Sequence, residues 1–339
     1  MAGYVWGDNE TQFFYDLDPV TVLNSIDDLG FKTTGRCLTL NSMENRVYEI
    51  ELDDGSFVVA KFYRPGRWSE EQILAEHKFL LELEEAEIPV IAPIKMQGKT
   101  LFRLKGDKVE KLALFFTIFP RKGGRAPEEM NEEQLQIMGR LLARIHNVGE
   151  TSNADSRVRI DSDSFGISNL EFLLKNNFLP PHYKNPFEKV VRDICDVSKD
   201  LFKDKKYLRI HGDCHKGNVI MRPEGPYFID FDDMLMGPAI QDIWLVTPAT
   251  DMDGNMDREI LIEAYQEMRS FNRSEIKLIE PLRSLRIIHF CAWIAKRSKD
   301  PAFQNAFPHF GTEEYWANQV HDLTTQLHVM RHDQNARAF

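Results

Sequence analysis

The chain has 339 residues, of which 42% are hydrophobic and 28% are charged, and its formal net charge at pH 7 is −11. This length can form a sizeable core and favours a two-lobed body, whereas the negative charge argues against nucleic acid as a partner, because nucleic-acid binders need clustered Lys and Arg. No apolar run approaches the length that crosses a bilayer, and the N-terminus lacks a basic region followed by an apolar core, so we expect no membrane partner and a cytoplasmic location.

The first elements that the sequence predicts are a short helix and a β-hairpin. Apolar residues recur at helical spacing between Pro19 and Leu29, which predicts the helix. Two runs rich in β-branched and aromatic residues follow, Arg46–Leu52 and Gly55–Tyr63, and the Asp-Gly pair between them is typical of a hairpin turn. The N-terminal part of the chain is therefore predicted to contain a hairpin.

Lys61 lies within the second strand of this hairpin, between apolar neighbours. Two interpretations remain open: a functional contact made by the ammonium group, or an edge-strand lysine whose charge lies in water. The next predicted helix begins with a capping-box pattern at Ser69 and Gln72 and extends to about Glu84. Glu76 falls on the apolar face of this helix, so its carboxylate needs a cation as a partner.

An apolar strand, Leu112–Phe119, leads into a cluster of strand-breaking residues. We predict that this cluster, residues 120–125, is a hinge between two lobes. The predicted N-terminal lobe is residues 1–119, and the predicted C-terminal lobe is residues 126–339.

The most specific stretch of the sequence is residues 211–233, which contain H-G-D-C-H-K-G-N, a predicted hairpin and then F-I-D-F-D-D. A carboxylate near a hydroxyl proton can act as a base, and Mg²⁺ prefers oxygen ligands. We assign Asp213 to the first role, and Asn218 and Asp230 to metal binding, with Asp230 also counted as catalytic. Asp232 ranks second as a metal ligand, because strand alternation would place it on the same side as Asp230. A base, a metal-binding amide and a metal-binding carboxylate in this order are the arrangement found in kinases.

These motifs resemble those of the aminoglycoside/choline/homoserine kinase-like superfamily. Residues 41–48 (N-S-M-E-N-R-V-Y), 59–65 (V-A-K-F-Y-R-P) and 237–244 (G-P-A-I-Q-D-I-W) resemble one branch of it, the bacterial serine/threonine protein kinases of the stress response. The matching blocks extend from about Asn41 to Trp293. The resemblance implies an α+β, bilobal protein-kinase-like fold, with an antiparallel sheet plus a helix in the N-terminal lobe and a mainly helical C-terminal lobe. The N-terminal lobe, residues 1–119, would bind the nucleotide, and the C-terminal lobe, residues 126–339, would supply catalytic and substrate-binding groups.

The resemblance also implies ATP and Mg²⁺ as cofactors. Lys61, paired with Glu76, would contact the phosphates of ATP. The loop before the hairpin contains no glycine, yet by resemblance it would cover the nucleotide; the alternative is an ordinary polar turn. The side chains of this loop that are suited to contact phosphates are Asn41, Ser42 and Asn45.

Two further features concern the predicted C-terminal lobe. Asp242 resembles a buried aspartate of the superfamily that braces the catalytic loop by hydrogen bonds. A helical pattern after Pro281 contains Arg283, Arg286 and Trp293. These three residues either line the acceptor side of the site or are two solvated arginines and a core tryptophan.

Three functional hypotheses remain open. The first is a serine/threonine protein kinase that is monomeric, phosphorylates itself and protein substrates, and acts in the bacterial stress response. The second is a small-molecule kinase that uses the same groups on an amino alcohol, a sugar or an antibiotic. The third, a nucleotide-binding scaffold without turnover, is disfavoured because the expected catalytic and phosphate-binding residues are all present: Lys61, Glu76, Asp213, Asn218 and Asp230.

Overall fold

The computed structural model describes residue 14, residues 17–104 and residues 114–335. The first ten residues, on which part of the expectation about location depends, lie outside these ranges, as do the first two residues of the predicted strand Leu112–Phe119. Among the helices of the described residues, none combines the length and the apolar character needed to cross a membrane.

The described residues form two compact units. The first, here called the sheet unit, contains the described residues of Gly7–Met130 together with His215–Met234. The second, the helical unit, contains those of Asn131–Cys214 and Leu235–Phe339. The lobe boundaries given by the sequence stay a prediction. The units differ from the predicted lobes chiefly because the segment that begins two residues after Asp213 belongs to the sheet unit.

The sheet unit is built on a five-stranded antiparallel sheet with the strand order β1-β2-β3-β5-β4. Its strands are β1 (Thr33–Leu40), β2 (Arg46–Leu52), β3 (Phe57–Phe62), β4 (Phe102–Arg103) and β5 (Phe115–Pro120). The predicted hairpin is confirmed, since β2 pairs with β3 from Arg46 opposite Phe62 to Glu51 opposite Phe57. Because β3 is a central strand, the interpretation of Lys61 as an edge-strand lysine is wrong.

Two helices of the sheet unit pack on its sheet, α1 (Pro19–Asp27) and α2 (Glu70–Glu85). Helix α1 begins where predicted, because Asp18 accepts a hydrogen bond from the backbone N–H of Thr21 and so caps the helix. It buries its apolar face against the core side chains of the sheet. Helix α2 begins with the predicted capping box, in which Ser69 and Gln72 bond each other's backbone N–H groups.

The helical unit contains most of the helices, as predicted. They are α3 (Glu132–Glu150), α4 (Ser168–Lys175), α5 (Pro181–Phe202), α6 (Ile240–Val246), α7 (Met252–Gln266), α8 (Ile279–Arg297), α9 (Pro301–Ala306) and α10 (Glu313–Asn335). A short antiparallel pair, β6 (Leu208–Ile210) and β9 (Leu235–Gly237), also belongs to it. Gly149 lets α3 approach β6 closely, because a Cβ there would lie 2.1 Å from the carbonyl oxygen of Arg209.

The remaining strands form the predicted hairpin of the sheet unit, β7 (Val219–Arg222) and β8 (Gly225–Phe228). The α+β class, with an antiparallel sheet and a helix in the N-terminal part and a mainly helical C-terminal part, is therefore confirmed.

His77 on α2 is a buried polar residue that the sequence does not single out. Its Nε2 lies 2.9 Å from the hydroxyl oxygen of Tyr63, and its Nδ1 lies 2.8 Å from the hydroxyl oxygen of Thr100. Burial, together with the nearby charge of Lys61, lowers the pKa of His77 from an ordinary value of 6.5 to about 3. The folded protein therefore keeps this imidazole neutral at moderately acidic pH.

We expect His77 to make the protein less stable as the pH falls from 6.5 towards 3. In the unfolded chain the imidazole takes up a proton below pH 6.5, whereas in the folded chain it does so only near pH 3. Between pH 6 and pH 4, wild type should lose about 1.4 kcal/mol of unfolding free energy per pH unit more than His77→Gln. Urea unfolding at a series of pH values measures this difference. The exposed His309 gives the control His309→Gln, and equal slopes for wild type and His77→Gln would contradict the prediction.

Candidate functional site

The hairpin β7–β8 brings Asn218 and Asp230 to one end of the sheet unit, as the sequence predicts. Val219 pairs with Phe228, and the backbone N–H of Ile229 donates to the carbonyl oxygen of Asn218 at 3.0 Å. Asp230 follows directly, and its side chain is 52% exposed. An amide oxygen and an accessible carboxylate are therefore carried by the two ends of one hairpin.

The strand alternation that was used to rank Asp232 is wrong. Asp230 has a left-handed backbone conformation, with a φ of 59°, and Phe231–Asp233 form a short 3₁₀ helix. Aspartate tolerates this conformation better than most residues, because its short polar side chain can bond locally. Asp230 and Asp232 nevertheless both lie against Lys61, brought there by the turn and not by the pleat of a strand.

Lys61 is the centre of a buried ion cluster. Its ammonium group bonds to Asp232 and lies 3.2 Å from Asp230 Oδ1 and 4.0 Å from Glu76 Oε1. Burial alone would lower the pKa of Lys61, but Asp232, Asp230 and Glu76 together raise it well above its ordinary value. The predicted pairing of Lys61 with Glu76 is thus present as the longest of three contacts, and the ammonium is a permanent cation.

Asp232 is fully engaged by donors from three parts of the sheet unit. Its Oδ1 accepts from Lys61, and its Oδ2 accepts from Asn45 Nδ2 at 2.6 Å and Arg67 Nη1 at 3.1 Å. Burial would raise the pKa of Asp232, but Lys61 and Arg67 lower it to about 2. A carboxylate held in this way has the surroundings of a structural anchor, whereas Asp230 is more accessible.

The glycine-free loop between β1 and β2 is held in place by side chains. The guanidinium of Arg64 donates to the backbone carbonyl of Glu44 at 2.9 Å, and the backbone N–H of Arg64 donates to Asn45 Oδ1 at 3.1 Å. The backbone N–H of Asn45 in turn donates to the hydroxyl oxygen of Ser42 at 3.2 Å. Asn45 is thus a structural residue, while Ser42 is half-buried and Asn41 is exposed.

Arg67 connects this loop to the segment that follows the hairpin. Its buried guanidinium lies 3.1 Å from Asp232, 2.6 Å from Asp233 and 3.7 Å from Glu44, each measured from nitrogen to carboxylate oxygen. Sequence reasoning missed Arg67. The available signal was a second arginine three residues after Arg64 and two residues beyond a block that already resembles a known family.

In the helical unit, the loop that carries Asp213 is held by Asp242. Its Oδ2 accepts from the backbone N–H of His211 at 2.9 Å, and its Oδ1 accepts from that of Gly212 at 2.9 Å. His146 Nε2 lies 3.0 Å from the same carboxylate. Gly212 has a φ of 86°, which a glycine adopts without strain. The brace that the resemblance implied for Asp242 is confirmed.

The carboxylate of Asp213 lies against an arginine from α8. Arg286 Nη1 is 2.7 Å from Asp213 Oδ1, and the Arg286 side chain is 42% exposed. The other two residues that the sequence grouped with Arg286 behave differently: the guanidinium of Arg283 lies over the ring of Trp244, and Trp293 packs among other aromatic rings. Of the three, Arg286 is the one that reaches Asp213.

Asn218 and Asp230 provide the kind of ligands that a magnesium ion takes. Within the described residues there is no group of three or more His, Cys, Asp and Glu side chains that could hold a metal by itself. Mg²⁺ keeps several waters and is commonly bound by one or two protein groups together with the phosphates of a substrate. Two oxygen donors at the end of one hairpin fit this mode of binding.

Comparison with known sequences supports the kinase interpretation. A family model described as "Phosphotransferase enzyme family" matches residues 38–279. Stress response kinase A of Escherichia coli (strain K12) is 37% identical over 324 residues, which are 95% of this chain and 96% of that protein. Serine/threonine protein kinase RdoA of Salmonella typhimurium (strain LT2) is 36% identical over the same number of residues. The resemblance that the sequence motifs indicated is confirmed.

Solved structures share the fold. Amicoumacin kinase hAmiN in complex with AMP-PNP, Ca²⁺ and Ami has a TM-score of 0.69 and 18% identity, and the match covers 91% of this chain and 95% of that one. The microcompartment-associated aminopropanol kinase has a TM-score of 0.67 and 15% identity, with 94% and 98% covered. The predicted kinase-like fold is therefore confirmed.

We expect Arg67→Met to destabilise the sheet unit by about 3–5 kcal/mol, because it removes one partner from a buried ion cluster and leaves carboxylates without compensation. Arg36→Met is a matched control, since Arg36 lies 3.9 Å from Glu51 on the surface of the same unit and is 62% exposed. That exposed pair should contribute little. Urea unfolding measures both changes, and similar effects of the two substitutions would show that the cluster around Arg67 is not an anchor.

Proposed function

Since this chain belongs to the phosphotransferase enzyme family, and within it to the stress response kinase A branch, we propose that it is an ATP- and Mg²⁺-dependent serine/threonine protein kinase of the bacterial stress response. The observation that carries this proposal is the ion cluster of Lys61. It keeps a permanent cation beside an accessible carboxylate, Asp230, which is the pairing that a metal-bound triphosphate requires.

In the sheet unit, Lys61 is proposed to contact the phosphates of ATP, with Glu76 as its partner on α2. Asn218 and Asp230 would hold the Mg²⁺ ion, which neutralises charge on the phosphate oxygens when it is bound. Asn41 and Ser42 remain proposed contacts of the nucleotide.

In the helical unit, Asp213 is proposed to orient the acceptor hydroxyl and to take its proton. The hydroxyl oxygen forms a bond to the γ-phosphorus, the bond from this phosphorus to the bridging oxygen of ADP breaks, and the proton passes to Asp213. Asp242 keeps the backbone of this loop fixed through His211 and Gly212. A fixed loop lowers the cost of orienting the carboxylate for each transfer.

A small-molecule kinase is the second candidate. The family model covers phosphotransferases in general, and the two structures described above are kinases of amicoumacin and of aminopropanol. The two sequence relatives share 37% and 36% identity with this chain, about twice the identity of the two solved structures, and they favour the protein kinase. Self-phosphorylation, a monomeric state and a cytoplasmic location stay predictions, as does the absence of nucleic-acid and membrane partners.

We expect Asp213→Asn to lower kcat for phosphate transfer by about 10²–10⁴-fold and to leave ATP binding unchanged, because it removes the proton acceptor and not a nucleotide contact. The purified protein is incubated with labelled ATP and Mg²⁺, and phosphorylated residues are identified by mass spectrometry. Asp253→Asn, which changes an exposed carboxylate of the same unit, is the control. Undiminished labelling by Asp213→Asn would refute the assignment, and consumption of ATP with an amino alcohol but with no protein would establish the second candidate.

Asp230→Asn should instead raise the Mg²⁺ concentration needed for half-maximal activity by about tenfold or more, because a divalent cation loses one charged ligand. The fold should persist, since Asp232 still compensates Lys61. Titration of activity with Mg²⁺ measures the change, and Asp54→Asn, in the exposed turn between β2 and β3, is the control. If both variants need the same Mg²⁺ concentration as wild type, Asp230 is not a metal ligand.

A further inference from the structure

The ion pair between Arg286 and Asp213 is not explained by the brace of the catalytic loop. Asp242 already holds this loop through the backbone N–H groups of His211 and Gly212. Arg286 contacts the carboxylate of Asp213 itself, from nitrogen to oxygen at 2.7 Å. It therefore acts on the group that is proposed to receive the acceptor hydroxyl.

Arg286 also differs from the arginines beside it on α8. Arg283 is 19% exposed, donates to the carbonyl oxygen of Pro248 at 3.0 Å and lies over Trp244. Arg297 is buried and donates to the carbonyl oxygen of Trp293 at 3.0 Å. Both guanidinium groups are therefore held by contacts within the helical unit. Arg286, by contrast, keeps 42% of its side chain exposed.

The chemistry of this ion pair favours exchange with a second anion. While the pair persists, a guanidinium nitrogen lies 2.7 Å from Asp213 Oδ1, so this oxygen is engaged and is not available to an acceptor hydroxyl. The guanidinium is the more exposed end of the pair, at 42% against 23% for the side chain of Asp213, so a second anion can reach it from solvent. Moreover, the planar guanidinium has five N–H donors and binds carboxylates and phosphates in a fork-like manner.

An acidic acceptor needs such a cation more than any other acceptor does. The chain carries a formal net charge of −11, and the carboxylate of Asp213 repels any negative group that is brought close to it. Arg286 is positioned at this carboxylate. It can screen the repulsion only for acceptors whose negative group lies next to the reacting hydroxyl.

We propose that Arg286 forms an anion-binding subsite that selects serine or threonine residues flanked by acidic side chains. When such a segment binds, the guanidinium exchanges Asp213 for the acidic side chain of the acceptor, and Asp213 becomes available to the hydroxyl. Arg286 is thus a specificity-determining residue. This inference rests on the proposed function, since it requires that the acceptor be a protein segment whose hydroxyl meets Asp213.

The test compares three synthetic peptides that differ only in the residues on either side of one serine, which are Glu, Gln or Lys. Wild type should phosphorylate the Glu peptide with a kcat/KM about tenfold or more above that of the Gln peptide, as expected for a charge-assisted hydrogen bond. Arg286→Gln should abolish this preference. Arg286→Glu should reverse it in favour of the Lys peptide, and Arg286→Lys should retain part of it.

A matched control is Arg192→Gln on α5. Arg192 is 47% exposed and lies 2.8 Å from a single carboxylate, that of Glu188. This variant should keep the preference of wild type. ATP binding by the Arg286 variants, measured by calorimetry, shows that the sheet unit has remained folded, and thermal unfolding reports on the helical unit.

The possible results distinguish a failure of the anion-binding subsite from a failure of the proposed function. A charge preference that is lost in Arg286→Gln and reversed in Arg286→Glu supports the subsite. Equal loss of activity towards all three peptides in Arg286→Gln means that the arginine only orients Asp213, which overturns the subsite and leaves the protein kinase intact. If wild type transfers phosphate to no peptide and to no protein, the proposed function fails and this inference fails with it.

Discussion

The buried ammonium group of Lys61 is the constraint on which the sheet unit depends. A cation taken out of water must be compensated, and three carboxylates do so: Asp232, Asp230 and Glu76. Glu76 belongs to helix α2, and Asp230 and Asp232 belong to the turn after β8, so satisfying one charge fixes helix α2, strand β3 and this turn in a single arrangement. Because the removal of one partner from such a cluster is costly, the geometry of the site and the stability of the sheet unit are coupled.

The charges around Lys61 do not balance, and the imbalance has a sign that suits the proposed function. The connected cluster contains the cations Lys61, Arg64 and Arg67 and the carboxylates Glu44, Glu76, Asp230, Asp232 and Asp233. The carboxylates outnumber the cations by two. The excess negative charge favours a divalent cation, and Asp230 is the member whose carboxylate is most exposed. Arg64 and Arg67 also hold the loop after β1, since Arg64 donates to the carbonyl oxygens of Met43 and Glu44 and Arg67 lies 3.7 Å from the carboxylate of Glu44.

The sequence predicted the parts of this site that depend on short-range patterns. The placement of Glu76 follows from helical periodicity, and the common end shared by Asn218 and Asp230 follows from a hairpin with a recognisable turn. The pattern failed after β8, because Asp230 has a left-handed backbone conformation and Phe231–Asp233 form a 3₁₀ helix, so the alternation of a strand does not continue to Asp232. It also missed Arg67 and left Arg286 undecided, since their carboxylate partners are far away in the chain and one sequence does not reveal such pairs.

The proposed metal-binding groups of the sheet unit and the proposed proton acceptor of the helical unit differ in what must happen before they can act. The ion cluster of the sheet unit consists of the chain's own charged side chains, and only seven residues separate Asp230 from Pro238, which is too short for a phosphorylated activation segment of the protein-kinase type. Strand β9 occupies three of them. In the helical unit, by contrast, Asp213 is occupied by Arg286. If the groups proposed to bind the metal are already in place while Asp213 is engaged by Arg286, then phosphate transfer is controlled by the arrival of an acceptor that can displace the arginine. Substrate choice and activation would then be the same event.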